Sequence, residues 1–205
     1  ATGTGLYTYN ATVTFNSNYG TPTTTTQTAS AATNLTANAF TYTNSVFLGW
    51  STNPAGGGTT YANSASYPFT ASVTLYAQWL HVTSIAPSSG DVGGATSVTI
   101  TGTGFTGLTG LTNATGATIG GAAVTSFAVF NATTITAVTA AGTVGAQNVL
   151  VTAASGIATG SGLYTYNATV TFNSNYGTPT TTTQTAITTT PLTTNTFTRT
   201  GYTFT

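Results

Sequence analysis

The sequence predicts an all-β (or β-rich α+β) chain built as a tandem array of small modules. Alternating runs of Val, Thr, Tyr and Phe recur along it, as in Leu6-Tyr7-Thr8-Tyr9, Val13-Thr14-Phe15, Val73-Thr74-Leu75-Tyr76 and Val98-Thr99-Ile100-Thr101. Clusters of Gly, Pro, Asn and Ser cut these runs at a spacing of roughly eight to twelve residues, and helical periodicity of any length is hard to find. Finally, residues 5–29 read GLYTYNATVTFNSNYGTPTTTTQTA, and residues 162–186 repeat the same 25 letters 157 positions later. Self-similarity at a fixed period is the mark of a repeat architecture.

The match extends back to Ala1 with only Thr4 replaced, by Ser161. The 205 residues therefore cover about one and a third units, and the chain is expected to be a window on a longer array. Two module types alternate in it. Residues 10–79 open with VTFNSNYG (13–20), pass a Thr-rich stretch, reach Phe47-Leu48-Gly49-Trp50 and close with TTYANSASYPFTASVTLYAQW (59–79). Residues 80–166 begin HVTSIAPSSGDVGGATSVTITGTGF (81–105). They continue through a turn signal at Ile119-Gly120-Gly121, the strand patterns Thr134-Ile135-Thr136-Ala137 and Val149-Leu150-Val151-Thr152, and Leu163-Tyr164-Thr165-Tyr166. The spacing of strands and turns in this second module fits a seven-strand sandwich. Residues 1–9 copy its last strand, and residues 167–205 copy the opening half of the first module. That leaves truncation of a longer chain, or donation of an orphan strand to the open sheet of another subunit.

The first module resembles the Listeria–Bacteroides repeat of bacterial surface proteins, whose VTFNxNGG, GYTFxGW and TLYAQW elements correspond to residues 13–20, 44–50 and 74–79. The resemblance implies a β-grasp-like sheet with a short or vestigial crossing segment. One element departs: TRTGYTF is present at 198–204, but residues 41–47 read TYTNSVF, so the Gly-Tyr turn is lost from the first copy while Phe47 and Trp50 can still pack. The second module is similar to the immunoglobulin-like domain shared by plexins and some transcription factors (the IPT/TIG type), through Ser84-Ile85-x-Pro87-x-x-Gly90 and Gly102-x-Gly104-Phe105. That resemblance also implies a seven-strand sandwich.

Charge is the abnormal quantity. Asp91 and Arg199 are the only charged side chains and His81 the only histidine, for a formal net charge of zero, whereas threonine occurs 57 times. One arginine cannot neutralise a phosphate backbone, so nucleic acid is excluded as a partner. No run of eighteen apolar residues is present to span a membrane as a helix. Without Cys there are no disulfides or thiolate metal sites, and without Lys no lysine–asparagine cross-links. Zero net charge favours association, which suits a subunit that packs against copies of itself.

No catalytic, cofactor-binding or metal site is expected, and no cofactor. His81, Asp91 and one of Ser84, Ser88 or Ser89 would make a triad on paper. His81, however, falls at the module junction, and Asp91 falls in a Pro-Ser-Ser-Gly-Asp loop where Asp is a common turn residue. One carboxylate is poor provision for a hard cation. Arg199 reads as a side chain laid along an aromatic surface with its head solvated, and Trp50 and Trp79 as core residues. The Thr-rich stretch at 21–28 and its copy at 178–185 read as strands with a hydroxylated face, bare or O-glycosylated. These readings point to a segment of an extracellular prokaryotic fibre, stalk or surface array whose partner is itself. The competing reading is an adhesin repeat that binds glycans or proteins.

Overall fold

In the computed structural model, which describes residues 9–106 and 113–205, the chain is all-β, and no helix occurs among those residues. The reading of residues 1–9 as the last strand of a preceding sandwich lies, Tyr9 apart, outside the described residues.

The first module is a mixed sheet. Strands β1 (Ala11–Asn16) and β2 (Thr24–Ala29) form a hairpin, followed by β3 (Thr33–Asn34), β4 (Val46–Ser51), β5 (Thr60–Tyr61), β6 (Ser66–Tyr67) and β7 (Val73–Ala86). The sheet runs β2-β1-β7-β4-β5, with β7 parallel to β1 and antiparallel to β4. This is the grasp arrangement, in which the last strand inserts beside the first. The alternation Ala11, Val13, Phe15 on β1 buries one face, while the threonines of β2 stay mostly exposed. In place of a crossing helix, irregular residues 30–45 carry Leu35, Phe40 and Tyr42 over the buried face, anchored by β3–β6 pairing. The core also takes Trp50, Tyr67, Phe69, Leu75, Ala77 and Trp79.

The turn expected to be lost in this copy is kept. Asn44 adopts φ 59° and Gly201, 157 positions on, adopts φ 78°; Ser45 N–H donates to Tyr42 O and Tyr202 N–H to Arg199 O, both at 3.1 Å. Asn tolerates the left-handed region, so it replaces Gly without changing the turn.

The second module is a two-layer sandwich. After β7 come β8 (Ser89–Asp91), β9 (Ser97–Thr103), β10 (Ala114–Ile119), β11 (Ala122–Ala123), β12 (Ser126–Asn131), β13 (Thr134–Val138), β14 (Gly145–Ala153) and β15 (Gly156–Asn173). One layer is β12-β13-β9-β7; the other is β11-β10-β14-β15, with β8 parallel to β15. Seven strands of five residues or more build the layers. The short β8 carries the chain of β7 across to the opposite layer, and β11 closes a two-residue hairpin in which Gly120 (φ 61°) and Gly121 (φ 86°) both need the left-handed region. The core gathers Ile85, Ile100, Phe105, Ile119, Ile135, Val149, Val151, Tyr164 and Tyr166. Gly142 lies against Tyr166, where a Cβ would sit 2.2 Å from the ring, and the Tyr166 hydroxyl donates to Ala140 O at 2.8 Å.

Residues 168–205 begin a further module: β15 continues into a hairpin with β16 (Thr181–Ala186), in the same register as β1 with β2.

Trp50 and Trp79 are both buried, but only the indole N–H of Trp79 has an acceptor, the Ser17 carbonyl at 2.8 Å; Trp50 Nε1 is unpartnered. Replacing Trp79 by Phe orphans that buried carbonyl, whereas replacing Trp50 by Phe removes an orphan. Trp79→Phe should therefore destabilise the protein more than Trp50→Phe, by about 1–3 kcal/mol in urea unfolding.

Candidate functional site at the module seams

His81 and Asp91, the lone histidine and the lone acidic side chain, stand where one module meets the next, so the seams are the candidate functional site. At the first seam no linker intervenes, because β7 runs through it as one 14-residue strand. Its partner changes from β4 (Val46↔Leu80, Phe47↔Trp79) to β9 (His81↔Thr103, Val82↔Gly102) between consecutive residues.

Successive side chains of a strand point to opposite faces, and here the two faces feed two cores. Leu75, Ala77 and Trp79 enter the first core; Leu80, Val82 and Ile85 enter the sandwich core. Strand β4 divides in the same way. Phe47 and Trp50 pack into the first core, Val46 and Leu48 into the sandwich, with a bulge between Phe47 and Gly49. Leu48 thus belongs in space to a module that begins more than thirty residues later, at about residue 80.

Backbone closeness adds to the lock. A Cβ on Gly102 would sit 2.0 Å from His81 O, and one on Gly104 (φ 71°) 2.5 Å from Trp79 O and 2.7 Å from Leu48 Cδ1. The glycines of the Thr-Gly-Thr-Gly-Phe motif therefore let β9 approach the seam. Thr103 Oγ1 donates to Trp79 O at 2.9 Å. On the other side Thr159 N–H donates to Asn44 O at 2.9 Å, and Asn44 Nδ2 donates to Ser161 Oγ at 3.4 Å.

His81 completes an aromatic column. Tyr42 is sandwiched between Tyr19, at 4.4 Å between ring centres, and the imidazole of His81, at 4.5 Å; both tyrosines meet Trp79 edge-on. Ser45 Oγ lies 2.8 Å from His81 Nδ1, and the Tyr19 hydroxyl donates to Thr41 O. Beside the column is a cleft of about 650 Å³ lined by uncharged residues, among them Asn18, Tyr19, Gln78, Trp79, His81 and Thr103.

The paper triad is not assembled. His81 is engaged with Ser45 and Tyr42, while Asp91, in the opposite layer, accepts Gly93 N–H at 2.8 Å and closes a turn. Asp91 also stands at the second seam. There β15 continues for 18 residues out of the sandwich, Asn167 pairs with Asp91, and Val92 N–H donates to Asn167 O at 2.9 Å. Arg199 is the counterpart, 157 residues on, of Tyr42. It differs from expectation in that its guanidinium, not its stem, covers the rings: Cζ lies 3.7 Å from the centre of Tyr202 and 5.4 Å from that of Tyr176. A planar cation here takes the place of the stacked phenol. Of the Thr-rich stretches, residues 24–28 and 181–185 lie in strands β2 and β16, while residues 21–23 and 178–180 precede them outside any strand. Among the described residues no three His, Cys, Asp or Glu side chains come together as a metal cluster.

The sequence places His81 at the junction, but its seam partners escaped sequence reasoning because they come from four other segments, at residues 19, 42–48, 102–104 and 159–161. One signal was available: between Val73 and Thr83 no Gly, Pro, Asn or Ser interrupts the run, so nothing marks a linker.

Two cores, a mixed grasp-like sheet and an immunoglobulin-like sandwich define the class as an all-β repeat protein. Comparison with family models assigns residues 12–78 to the Listeria-Bacteroides repeat domain and residues 80–166 to the IPT/TIG domain. The chain therefore carries a Listeria-Bacteroides repeat followed by an IPT/TIG domain, and domains of these two types are typically structural and non-enzymatic. No curated protein matched the chain.

Burial lowers the His81 pKa below its ordinary value of 6.5. Folding therefore disfavours protonation: stability is full above the unfolded pKa of about 6.5 and declines as pH falls from there through the folded pKa. With one proton involved, the slope is no steeper than about 1.4 kcal/mol per pH unit. His81 is the only side chain whose ordinary pKa lies between about pH 5 and 8. Denaturation of His81→Phe, which keeps a ring in the column, should consequently lose the decline seen in the parent protein.

Proposed function

We propose that this chain is a segment of an extracellular prokaryotic fibre, stalk or surface array, in which the 157-residue two-module unit repeats to form a stiff spacer. The observation that carries the reading is that both seams are continuous strands, β7 of 14 residues and β15 of 18, with no linker at either. A spacer must hold its length, and bending at the first seam would pull Trp79 and Leu80 from their separate cores. Two buried side chains of this size cost on the order of 3–6 kcal/mol to expose.

Composition supports the same reading. With one Asp, one Arg and one His, the chain has almost nothing for salt to screen, and trypsin-like proteases find one cleavage residue, Arg199. Each module has its own apolar core, so stability grows roughly as a sum over units and interfaces.

The cleft beside Tyr19, Trp79 and His81 favours the second reading, an adhesin repeat. Its uncharged amide, hydroxyl and ring lining suits a neutral glycan. Two observations separate the readings. Chains of several units, imaged singly, should be straight rods with a persistence length of many modules, and titration with neutral oligosaccharides should leave the His81 ring resonances unmoved. Flexible chains whose His81 resonances shift saturably with a sugar would replace the spacer with the adhesin.

A further inference from the structure

We infer that the outer edges of β2 and β16 are lateral docking surfaces for a second copy of this chain, joined by antiparallel edge-to-edge strand pairing. The inference extends the array reading, and it starts from where the sheets stop. Strand β2 ends one long sheet and β16 the other; each is paired on one side only, by β1 and by β15. An unpaired edge presents backbone donors and acceptors to any chain that brings a complementary row.

The free edge of β15 at residues 168–173 is the place that the strand equivalent to β7 takes beside β1 in the first module, and the remaining exposed edges are blunted. Strands β3, β5, β6 and β11 are two residues long and β8 is three, too short to template a partner. Strand β12 has six residues but is bulged between Val129 and Asn131. Bulges, shortness, proline and charge are the ordinary devices against edge pairing. The sequence Thr-Thr-Thr-Gln-Thr-Ala of β2 and β16 has none of them: six residues in unbroken register, no proline, no charge.

The occupant follows from the same residues. Both edges carry one sequence, so each is a suitable partner for itself or for the other. In a two-fold antiparallel pair, where facing residues share one side of the joined sheet, Thr24 faces Thr28 and Thr26 faces its own copy. The β2 threonines already make such a pair inside the fold, Thr12 Oγ1 lying 3.0 Å from Thr28 Oγ1; its copy Thr169–Thr185 is at 3.3 Å. Gln27 is tied back by bonds to Asn34 O and Thr36 N, and Gln184 by bonds to Pro191 O and Thr193 N, which leaves rows of threonine facing outward. A neutral copy meets no repulsion on approach. With two such edges per chain, pairing propagates sideways instead of stopping at a dimer.

The test uses the full 205-residue chain. Sedimentation equilibrium from micromolar to millimolar concentration is combined with amide hydrogen exchange and compared with two variants of matched charge. Thr26→Lys/Thr183→Lys places a cation on each edge. Thr101→Lys/Thr136→Lys places the same charge on exposed positions of β9 and β13, which are flanked on both sides. Expected are concentration-dependent association, slowed exchange of the amides of Thr24–Ala29 and Thr181–Ala186, at least a tenfold loss of association in the edge variant, and no comparable loss in the control. A chain that stays monomeric to millimolar concentration overturns the inference. So does association that survives the edge lysines, or protection confined to the apolar face around Leu192 and Phe204. A monomer whose two modules still tumble as one rigid body would remove lateral pairing and leave the spacer reading intact.

Discussion

One strand, β7, belongs to two cores, and the rest of the structure depends on that. A pleated strand sends alternate side chains to opposite faces. Here Trp79 is packed into a grasp-like sheet and Leu80, the next residue, into a sandwich. Strand β4 repeats the division with Phe47 and Leu48. The modules are therefore not beads on a string. Rotating one against the other requires either breaking the hydrogen bonds of β7 or withdrawing a large apolar side chain from a close-packed core.

The other seam features serve that constraint. Gly102 and Gly104 allow β9 to take over from β4 without a gap, since a side chain at either would strike the backbone of His81 or Trp79. Asn44 holds its turn and reaches across to Thr159 and Ser161. The Tyr19–Tyr42–His81 column stands on Trp79 and fills the angle between the modules with flat apolar surface. The lone histidine of the chain is thus a packing element, and burial lowers its pKa below the ordinary value.

Much of this was legible in the sequence. The two module types, the hairpin at Gly120-Gly121, the burial of both tryptophans and the turn-forming part of Asp91 follow from alternation, turn chemistry and motif spacing. What was not legible needed three-dimensional contact. Val46 and Leu48 look like ordinary members of a first-module strand, and only the bulge at Gly49 lets them serve the sandwich. The retained turn at Asn44 was hidden because Asn and Gly share a backbone region that motif comparison treats as different letters. Arg199 in the place of Tyr42 shows the opposite case: different chemistry in one stacked position, each flat enough to lie on a tyrosine.

The 25-residue identity between 5–29 and 162–186 takes on a physical meaning in this setting. In the second copy it maps onto the end of β15 and its hairpin with β16, the strand that carries one sandwich into the next module. The most direct test of the account is to measure backbone residual dipolar couplings across the first seam in a weakly aligned sample. If β7 is one strand feeding two cores, couplings from residues 11–79 and from residues 80–166 will fit a single alignment tensor, and the amides of Leu80 and His81 will be as rigid as those of Leu75. Two distinct tensors, or fast local motion at Leu80 and His81, would contradict it.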